Sequence, residues 1–342
     1  MAGSAKSVAG DANTVRPSSG TFHPSPRGEG PGSAGRAPAV RRPSSAVAMR
    51  NIRGRRQEMD HDHEHHGACD CQVAPERVDM ARRRLMSGAA AVGAAGLVGA
   101  QAGAATPEAR ALYADPAEPG LPQVDMDIEP GRTALVVTDP QIDFLSEDGV
   151  TWGVVGESVT EQGAVDNIER LFAAAKAAGM PVFISPHYYY PHDHKWRFEG
   201  TLEKTMHAIG MFDRPGPLKL DGFEGSGADW MPQYKKYIED GETVICSPHK
   251  VYSPAQNDLN LQLRKRGIDK VILAGMSANL CTQAHLYELL ELGFEVAVVR
   301  DATAGAKVPE GDGYLAAIIN FRMVANGVWW TDDAVERIAR SA

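Results

Sequence analysis

The clearest strand-to-helix transition in the sequence is Val271-Ile272-Leu273-Ala274-Gly275-Met276-Ser277-Ala278-Asn279-Leu280-Cys281-Thr282-Gln283-Ala284-His285. Its apolar first part predicts a buried strand, and Gly275 marks the break before an amphipathic helix that extends to Leu292. Cys281 therefore lies where a strand passes into a helix, and the positive end of a helix can lower a thiol pKa. A small buried core cysteine fits the same position, so this run alone leaves both readings open.

The rest of the second half of the chain repeats this alternation of strand and helix. Short apolar runs predict strands at residues 133–138, 181–185, 242–246, 294–299 and 328–330. Apolar residues at helical spacing predict helices at residues 158–178, 201–209, 259–267, 314–324 and 332–340. Such regular alternation predicts an α/β fold that is three-layered and doubly wound, with a mostly parallel sheet flanked by helices.

The first 80 residues are unlike a folded domain. Residues 1–58 are rich in Gly, Pro, Ser, Ala and Arg without apolar periodicity, which predicts a disordered, basic extension. Residues 59–71 follow with a dense group of histidines, cysteines and carboxylates that could bind zinc or nickel. Their spacing matches no closed structural metal site, and an incidental polar tract is the alternative.

Residues 81–105 resemble an export signal. Arg82-Arg83-Arg84-Leu85-Met86 precedes an uncharged run of small and apolar residues, and small residues suited to signal peptidase follow it. The arginines ahead of two apolar residues resemble a twin-arginine signal, which predicts a periplasmic or extracellular protein; an Ala-rich linker in a cytoplasmic protein is the alternative. The mature chain would then contain no stable membrane span, a linker at residues 106–130 and one domain at residues 131–335.

The net charge and the number of cysteines indicate which partners and which covalent cross-links to expect. The chain carries a net charge of -9 while its first 58 residues are basic, so the remainder is acidic and nucleic acid is not an expected partner. Only Cys246 and Cys281 follow the signal region, too few for a disulfide framework. A small molecule is the expected partner.

Asp139, Lys250 and Cys281 each follow a predicted strand. Because the carboxyl ends of parallel strands share one edge of the sheet, the three side chains are expected on the same edge, where open α/β folds bind ligands. A carboxylate there can act as a general acid or base, and a lysine beside a cysteine stabilises the thiolate. A helix N-cap role for Asp139 and an ordinary surface role for Lys250 are the alternatives.

Asp139, Lys250 and Cys281, in this order, resemble the catalytic residues of the isochorismatase-like cysteine hydrolases, which include nicotinamidases, carbamoylsarcosine amidase and ureidoacrylate and biuret amidohydrolases. The resemblance extends over residues 133–330. It also rests on these pieces: Asp139-Pro140-Gln141-Ile142-Asp143-Phe144, Gly225-Ser226-Gly227-Ala228-Asp229, Tyr252-Ser253, Asn257-Asp258-Leu259, Gly275-Met276-Ser277-Ala278-Asn279-Leu280-Cys281 and Asp301-Ala302.

The resemblance implies a role for each residue. Cys281 would attack a carbonyl and form a thioester, Asp139 would transfer the protons, and Lys250 would hold Asp139 ionised. The amides of Ser277 and Cys281 would form the oxyanion hole, and the bond between Met276 and Ser277 would be cis. The implied reaction is hydrolysis of a small amide, carbamoyl or ureido compound without a cofactor, in a homo-oligomer. A vinyl-ether hydrolase of the isochorismatase type and a non-catalytic scaffold are the alternatives.

Aromatic and histidine residues predict the pocket wall. The candidates are Phe144, Trp152, His187, Tyr188, Tyr189 and Trp196. His187, His192 and His194 are weak candidates for metal ligands. Nicotinamidases carry an Asp-x-His sequence at this place, but Ser185 stands where the Asp would be, so metal-assisted nicotinamide binding is not expected.

Overall fold

A computed structural model describes residues 104–342 of the chain. Its strands are β1 (Thr133–Thr138), β2 (Val182–Ser185), β3 (Val244–Ile245), β4 (Lys270–Gly275), β5 (Glu295–Val299), β6 (Lys307–Val308), β7 (Gly311–Asp312) and β8 (Gly327–Trp329). Six of them form one sheet in the order β3-β2-β1-β4-β5-β8, and every neighbouring pair is parallel. The predicted parallel sheet is therefore confirmed, while the antiparallel hairpin β6-β7 was not predicted.

The sheet is buried on both faces because its central strands are apolar throughout. All residues of β1 and β4 are buried, and the two strands pair along their length, with Val136 opposite Leu273. Since successive side chains of a strand point to opposite faces, Leu135 and Val137 join one hydrophobic cluster and Val136 joins the other. These two clusters separate the sheet from its two helical layers.

The helices are Pro107–Leu112, Ile142–Leu145, Trp152–Gln162, Ala164–Ala177, Thr201–Ile209, Lys235–Ile238, Leu259–Lys265, Gln283–Glu291, Gly313–Val324 and Thr331–Ser341. The predicted helix at residues 158–178 is wrong at its start, because the helical region begins at Trp152 and is divided into two helices by Gly163, whose φ is +61°. None of the helices in residues 104–342 has the length and apolar character needed to span a membrane.

The segment 106–130, assigned above to a linker, packs against the domain. The ring of Tyr113 lies 4.7 Å from that of Tyr314, and Met126 is fully buried. The fully buried Arg300 contacts both carboxylate oxygens of Asp115 at 2.8 and 2.9 Å. Residues 1–103, with the predicted disordered extension, the His/Cys tract and nearly all of the export signal, lie outside the described residues.

The topology places a crevice at the carboxyl ends of β1 and β4. From β1 the chain passes to β2 and β3 on one side, and then crosses to β4 on the other side of β1. Ligands of open α/β sheets bind where the strand order reverses in this way. A functional site is therefore expected among the residues that follow β1 and β4.

Gly275 joins β4 to the turn that carries Cys281, and the turn depends on this glycine. Its φ is +106°, and a Cβ atom there would lie 2.0 Å from the carbonyl oxygen of Thr138. We expect Gly275→Ala to lower the free energy of unfolding by more than about 4 kcal/mol, because backbone atoms on both strands would have to move. Chemical denaturation followed by circular dichroism measures this loss.

Gly179→Ala is the matched control for Gly275→Ala. Gly179 also has a positive φ, +64°, but no atom lies within 4 Å of the position that a Cβ atom would occupy there. The control should lose only the roughly 1–2 kcal/mol that a left-handed conformation costs an L-residue. Similar losses in the two variants would show that the close approach to Thr138 does not constrain the turn.

Candidate active site

Asp139 is the first residue after β1, and its backbone has the left-handed φ of 46°. Its amide donates to the carbonyl of Ser185 at 3.1 Å, which holds the turn against the end of β2. The side chain is fully buried. Its Oδ1 lies 2.8 Å from Nε2 of His249, and Oδ2 has no hydrogen-bond partner among residues 104–342. Asp139 therefore holds one carboxylate oxygen against His249, and its carboxylate also interacts with the buried thiol of Cys281.

Cys281 lies in the π-helical turn Ala278–Thr282, which leads into the helix Gln283–Glu291. Backbone hydrogen bonds fix the start of this turn: the amide of Met276 donates to Thr138 at 2.9 Å and that of Ala278 to Ala304 at 2.8 Å. The thiol is 3% exposed, and its Sγ lies 3.9 Å from the carbonyl oxygen of Val251.

The electrostatic surroundings of Cys281 keep its thiol protonated. Burial raises the pKa of the thiol, and the negative charge of Asp139 raises it further. The backbone amides of Ser277 and Cys281 act in the opposite direction, because they donate toward the sulfur. A nucleophilic role for this thiol would therefore require a base. The bond between Met276 and Ser277 is cis, as the resemblance implied.

The expected contact between Lys250 and Asp139 is wrong. Nζ of Lys250 donates instead to Oδ2 of Asp193 at 2.6 Å and to the carbonyl of Tyr188 at 2.8 Å, and it lies 3.6 Å from the centre of the Tyr190 ring. The side chains of neighbouring residues in an extended segment point in opposite directions, so His249 and Lys250 cannot both face Asp139. Lys250 anchors the loop that follows β2.

His249, which precedes Lys250, is the basic side chain that contacts Asp139. Its backbone amide donates to Pro186 at 3.0 Å, which extends the pairing of β2 and β3 by one bridge, between His187 and His249. The buried ring of His249 lies 4.7 Å from the ring of His187 and 5.1 Å from that of His285. A role for His249 was not predicted from the sequence, where the neighbouring Lys250 was chosen instead.

Four buried side chains now meet at the carboxyl edge of the sheet. Asp139, His187, His249 and Cys281 each contribute one nitrogen, oxygen or sulfur atom, and these atoms lie within 4.8 Å of one another. We refer to these four residues as the edge cluster. It contains two of the three residues that the sequence predicted for catalysis, with His249 in place of Lys250.

A second set of polar residues supports the backbone around Cys281. Nδ1 of His285 lies 2.7 Å from the carbonyl oxygen of Cys281, which can only accept, so Nδ1 carries the proton. Nε2 then accepts from the hydroxyl of Ser185 at 2.7 Å, and that hydroxyl accepts from the amide of Asn257 at 2.9 Å. Burial lowers the pKa of His285, which favours this neutral ring. No role for Asn257 or His285 was predicted from the sequence.

Gln141 fixes the position of His187. Its Oε1 accepts from the backbone amide of His187 at 3.0 Å, and its Nε2 donates to the carbonyl of the same residue at 2.9 Å. The fully buried side chain also donates to the carbonyl of Ala228 at 2.9 Å. Gln141 thus joins the loop after β1 to the loop after β2, and no pattern in the sequence marks it for this role.

The predicted pocket residues divide into two groups. Tyr189 contacts the edge cluster directly, because its ring lies 4.6 Å from that of His187. Trp196 packs against Tyr189, with 5.9 Å between the two rings. Burial raises the pKa of Tyr189, and the negative charge of Glu203 adds to the effect. The hydroxyl of Tyr189 has no hydrogen-bond partner within the described residues.

The remaining pocket candidates face elsewhere. The ring of Phe144 packs against the ring of Phe212, with 5.2 Å between their centres. The ring of Phe212 in turn lies 5.1 Å from that of His187. Tyr188 packs against Trp230 at 6.1 Å and under the guanidinium of Arg214. Trp152 lines a cavity of about 150 Å³ formed by its own segment, residues 147–154.

His192 and His194 do not join His187 in a metal site. The side chain of His192 is 71% exposed and contacts Asp193 at 3.4 Å, and Nε2 of His194 is bonded to Asp213 at 2.6 Å. Tyr189 contacts the rings of both His187 and His194, and so separates them. The suggestion of a metal bound by these three histidines is therefore wrong.

The candidate site of this doubly wound parallel sheet lies at the carboxyl edge of β1, β2, β3 and β4. Residues 133–332 match the family model of the isochorismatase domain. The chain therefore belongs to the isochorismatase family.

Similar proteins agree with this assignment. The uncharacterized isochorismatase family protein YecD of Escherichia coli O157:H7 is 40% identical over 54% of this chain and 86% of the relative. The ureidoacrylate amidohydrolase RutB of Pseudomonas savastanoi pv. phaseolicola is 32% identical over 57% of this chain and 77% of the relative. The crystal structure of a cysteine hydrolase from Pseudomonas syringae pv. phaseolicola matches 65% of this chain and 100% of that one, with a TM-score of 0.53 at 22% identity, and so shares the fold.

Proposed function

We propose that this isochorismatase-family hydrolase cleaves the C–N bond of a small amide, carbamoyl or ureido compound through a thioester on Cys281. The observation that carries the proposal is the contact of a buried cysteine, a carboxylate with one free oxygen and a histidine that holds the other oxygen. The similarity to ureidoacrylate amidohydrolases supports the choice of a C–N bond.

Acylation would begin with transfer of the thiol proton to Oδ2 of Asp139, while Sγ of Cys281 attacks the substrate carbonyl. The resulting oxyanion would accept hydrogen bonds from the amides of Ser277 and Cys281, and each such donor contributes about 3 kcal/mol to transition-state stabilisation. Asp139 would then give its proton to the departing nitrogen. The amine or ammonia leaves, and the acyl group remains on sulfur as a thioester.

Deacylation would use the same residues in the opposite order. Asp139, again ionised, takes a proton from a water molecule whose oxygen attacks the thioester carbonyl. Collapse of the second tetrahedral intermediate returns the proton to the sulfur and releases the acid. His249 acts as a positioning residue, because its hydrogen bond to Oδ1 directs Oδ2 toward the thiol.

The polarity of the edge cluster supports a substrate that brings N–H groups. Oδ2 of Asp139, Nδ1 of His187 and Nδ1 of His249 are buried without hydrogen-bond partners within residues 104–342. An unsatisfied buried acceptor costs about 1–3 kcal/mol. Primary amides and ureas present a carbonyl next to N–H donors, so one ligand could satisfy these acceptors and place its carbonyl near Sγ.

The test is ammonia release from a panel of primary amides, carbamates and ureido acids, using the full chain. We expect at least one class to release ammonia, and added hydroxylamine should divert part of the acid product to a hydroxamate by attack on the thioester. Absence of ammonia from all classes, together with cleavage of a vinyl ether such as isochorismate, would overturn the proposal.

A further inference from the structure

The edge cluster has the composition of a transition-metal site. Its members come from four separate segments, which follow β1, β2, β3 and β4, and all four side chains are at most 3% exposed. One atom of each residue lies within 4.8 Å of the corresponding atoms of the others. Two imidazoles, a carboxylate and a thiol are brought together by the fold itself.

The hydrogen bonds of the two histidines fix which ring nitrogen carries a proton. Nε2 of His187 lies 3.1 Å from the carbonyl oxygen of Lys250, and Nε2 of His249 lies 2.8 Å from Oδ1 of Asp139. Both oxygens accept, so each Nε2 is the donor. In a neutral His187 ring Nδ1 then has a free lone pair, and this atom is buried without a partner among the residues described. Nδ1 of His249 is also buried without a partner there, but it lies on the side of the ring away from Asp139.

We propose that Asp139, His187, His249 and Cys281 bind one divalent cation of the zinc class. Imidazole and thiolate ligands favour zinc or cobalt, whereas magnesium and calcium prefer sites built from oxygen alone. Bonds of about 2.0–2.3 Å place the ligands of a tetrahedral zinc ion roughly 3.3–3.8 Å apart, so the four ligand atoms, now within 4.8 Å, must move closer together. The hydrogen bond from Nε2 of His249 to Oδ1 of Asp139 must also open, so that both residues can face the cation. The hydrogen bond from Nε2 of His187 to the carbonyl oxygen of Lys250 is of the kind that orients a metal ligand.

Metal binding and thioester formation exclude each other. The cation displaces the thiol proton, which passes to the buffer, and a metal–sulfur bond replaces the S–H bond. The sulfur lone pair that would attack the substrate is then engaged, and so is the carboxylate of Asp139. Inhibition of hydrolysis by zinc is expected only if the proposed function is correct. The existence of the metal site does not depend on the proposed function.

The test of the site is a titration of the full chain with Co²⁺, followed by absorption spectroscopy. Cys69 and Cys71 are changed to serine beforehand, so that the His/Cys tract cannot supply a thiolate. We expect a thiolate-to-cobalt charge-transfer band that saturates at one equivalent. Cys281→Ser should abolish the band, and His249→Ala should weaken cobalt binding by about 10–100-fold or more. His192→Ala, which alters an exposed histidine outside the cluster, is the matched control and should change neither.

The outcomes separate the two proposals. A chain without the charge-transfer band, or one that keeps the band in Cys281→Ser, overturns the metal site whatever its hydrolytic activity. If the band forms as expected, zinc should inhibit ammonia release and a chelator should restore it. A cobalt band in a chain that hydrolyses nothing would support the metal site and count against the proposed function.

Discussion

Replacing Cys281 with alanine is expected to lower kcat/KM for amide or ureido hydrolysis by at least about 10³-fold. The sulfur is the only nucleophile in the edge cluster that can form a thioester, and the remaining groups would have to activate water unaided. Steady-state ammonia release with the best substrate of the panel measures the loss. Circular dichroism and the thermal midpoint establish that the variant is folded.

Cys246→Ala is the matched control for Cys281→Ala. Cys246 is also 3% exposed, and burial raises the pKa of its thiol to about 12, but it packs in the hydrophobic cluster beneath β3 and does not belong to the edge cluster. The control should lose some stability and keep its activity. If Cys281→Ala retained much of the wild-type rate, the thioester mechanism would fail, and the vinyl-ether hydrolase would become the better interpretation.

The sheet could be predicted from the sequence because its strands carry their own signal. β1 and β4 are continuous apolar runs, a pattern typical of strands buried on both faces, and the structure places them side by side at the centre. The helix that begins at Trp152 was missed for the opposite reason. Gly153 and Gly156 weaken its helical propensity, and contacts with the rest of the domain compensate for that weakness.

The candidate site was predicted only in part. The error lies after β3, where the register of strand pairing determines which side chain faces Asp139. β3 has two residues, Val244 and Ile245, and its alignment is set by pairing with β2 and by the bridge between His187 and His249. A shift of one residue reverses the direction of a side chain in extended backbone. The sequence shows that His249 and Lys250 follow the strand, but only the pairing decides which of them faces Asp139.

Substitutions at His249 should therefore lower mainly kcat, whereas substitutions at Lys250 should affect mainly stability and KM. We expect His249→Ala to lower kcat by about 10²–10³-fold, because Asp139 loses the hydrogen bond that orients it as the proton carrier. His249→Gln, whose amide can still donate to Oδ1, should recover about 10-fold of the loss, which a purely structural role would not predict. The measurements are kcat and KM for each variant, with the thermal midpoint as the check on folding.

Lys250→Met is the matched comparison, since it keeps the aliphatic stem and removes the ammonium group. Asp193 would lose its contact at 2.6 Å and the loop carrying Tyr188 would lose its anchor, so stability should fall by about 1–3 kcal/mol and KM should rise. The value of kcat should stay within about 10-fold of wild type, because the ammonium group does not touch the edge cluster. A collapse of kcat in Lys250→Met with near-normal turnover in His249→Ala would instead assign the partner role to Lys250, and would require the loop after β3 to rearrange when substrate binds.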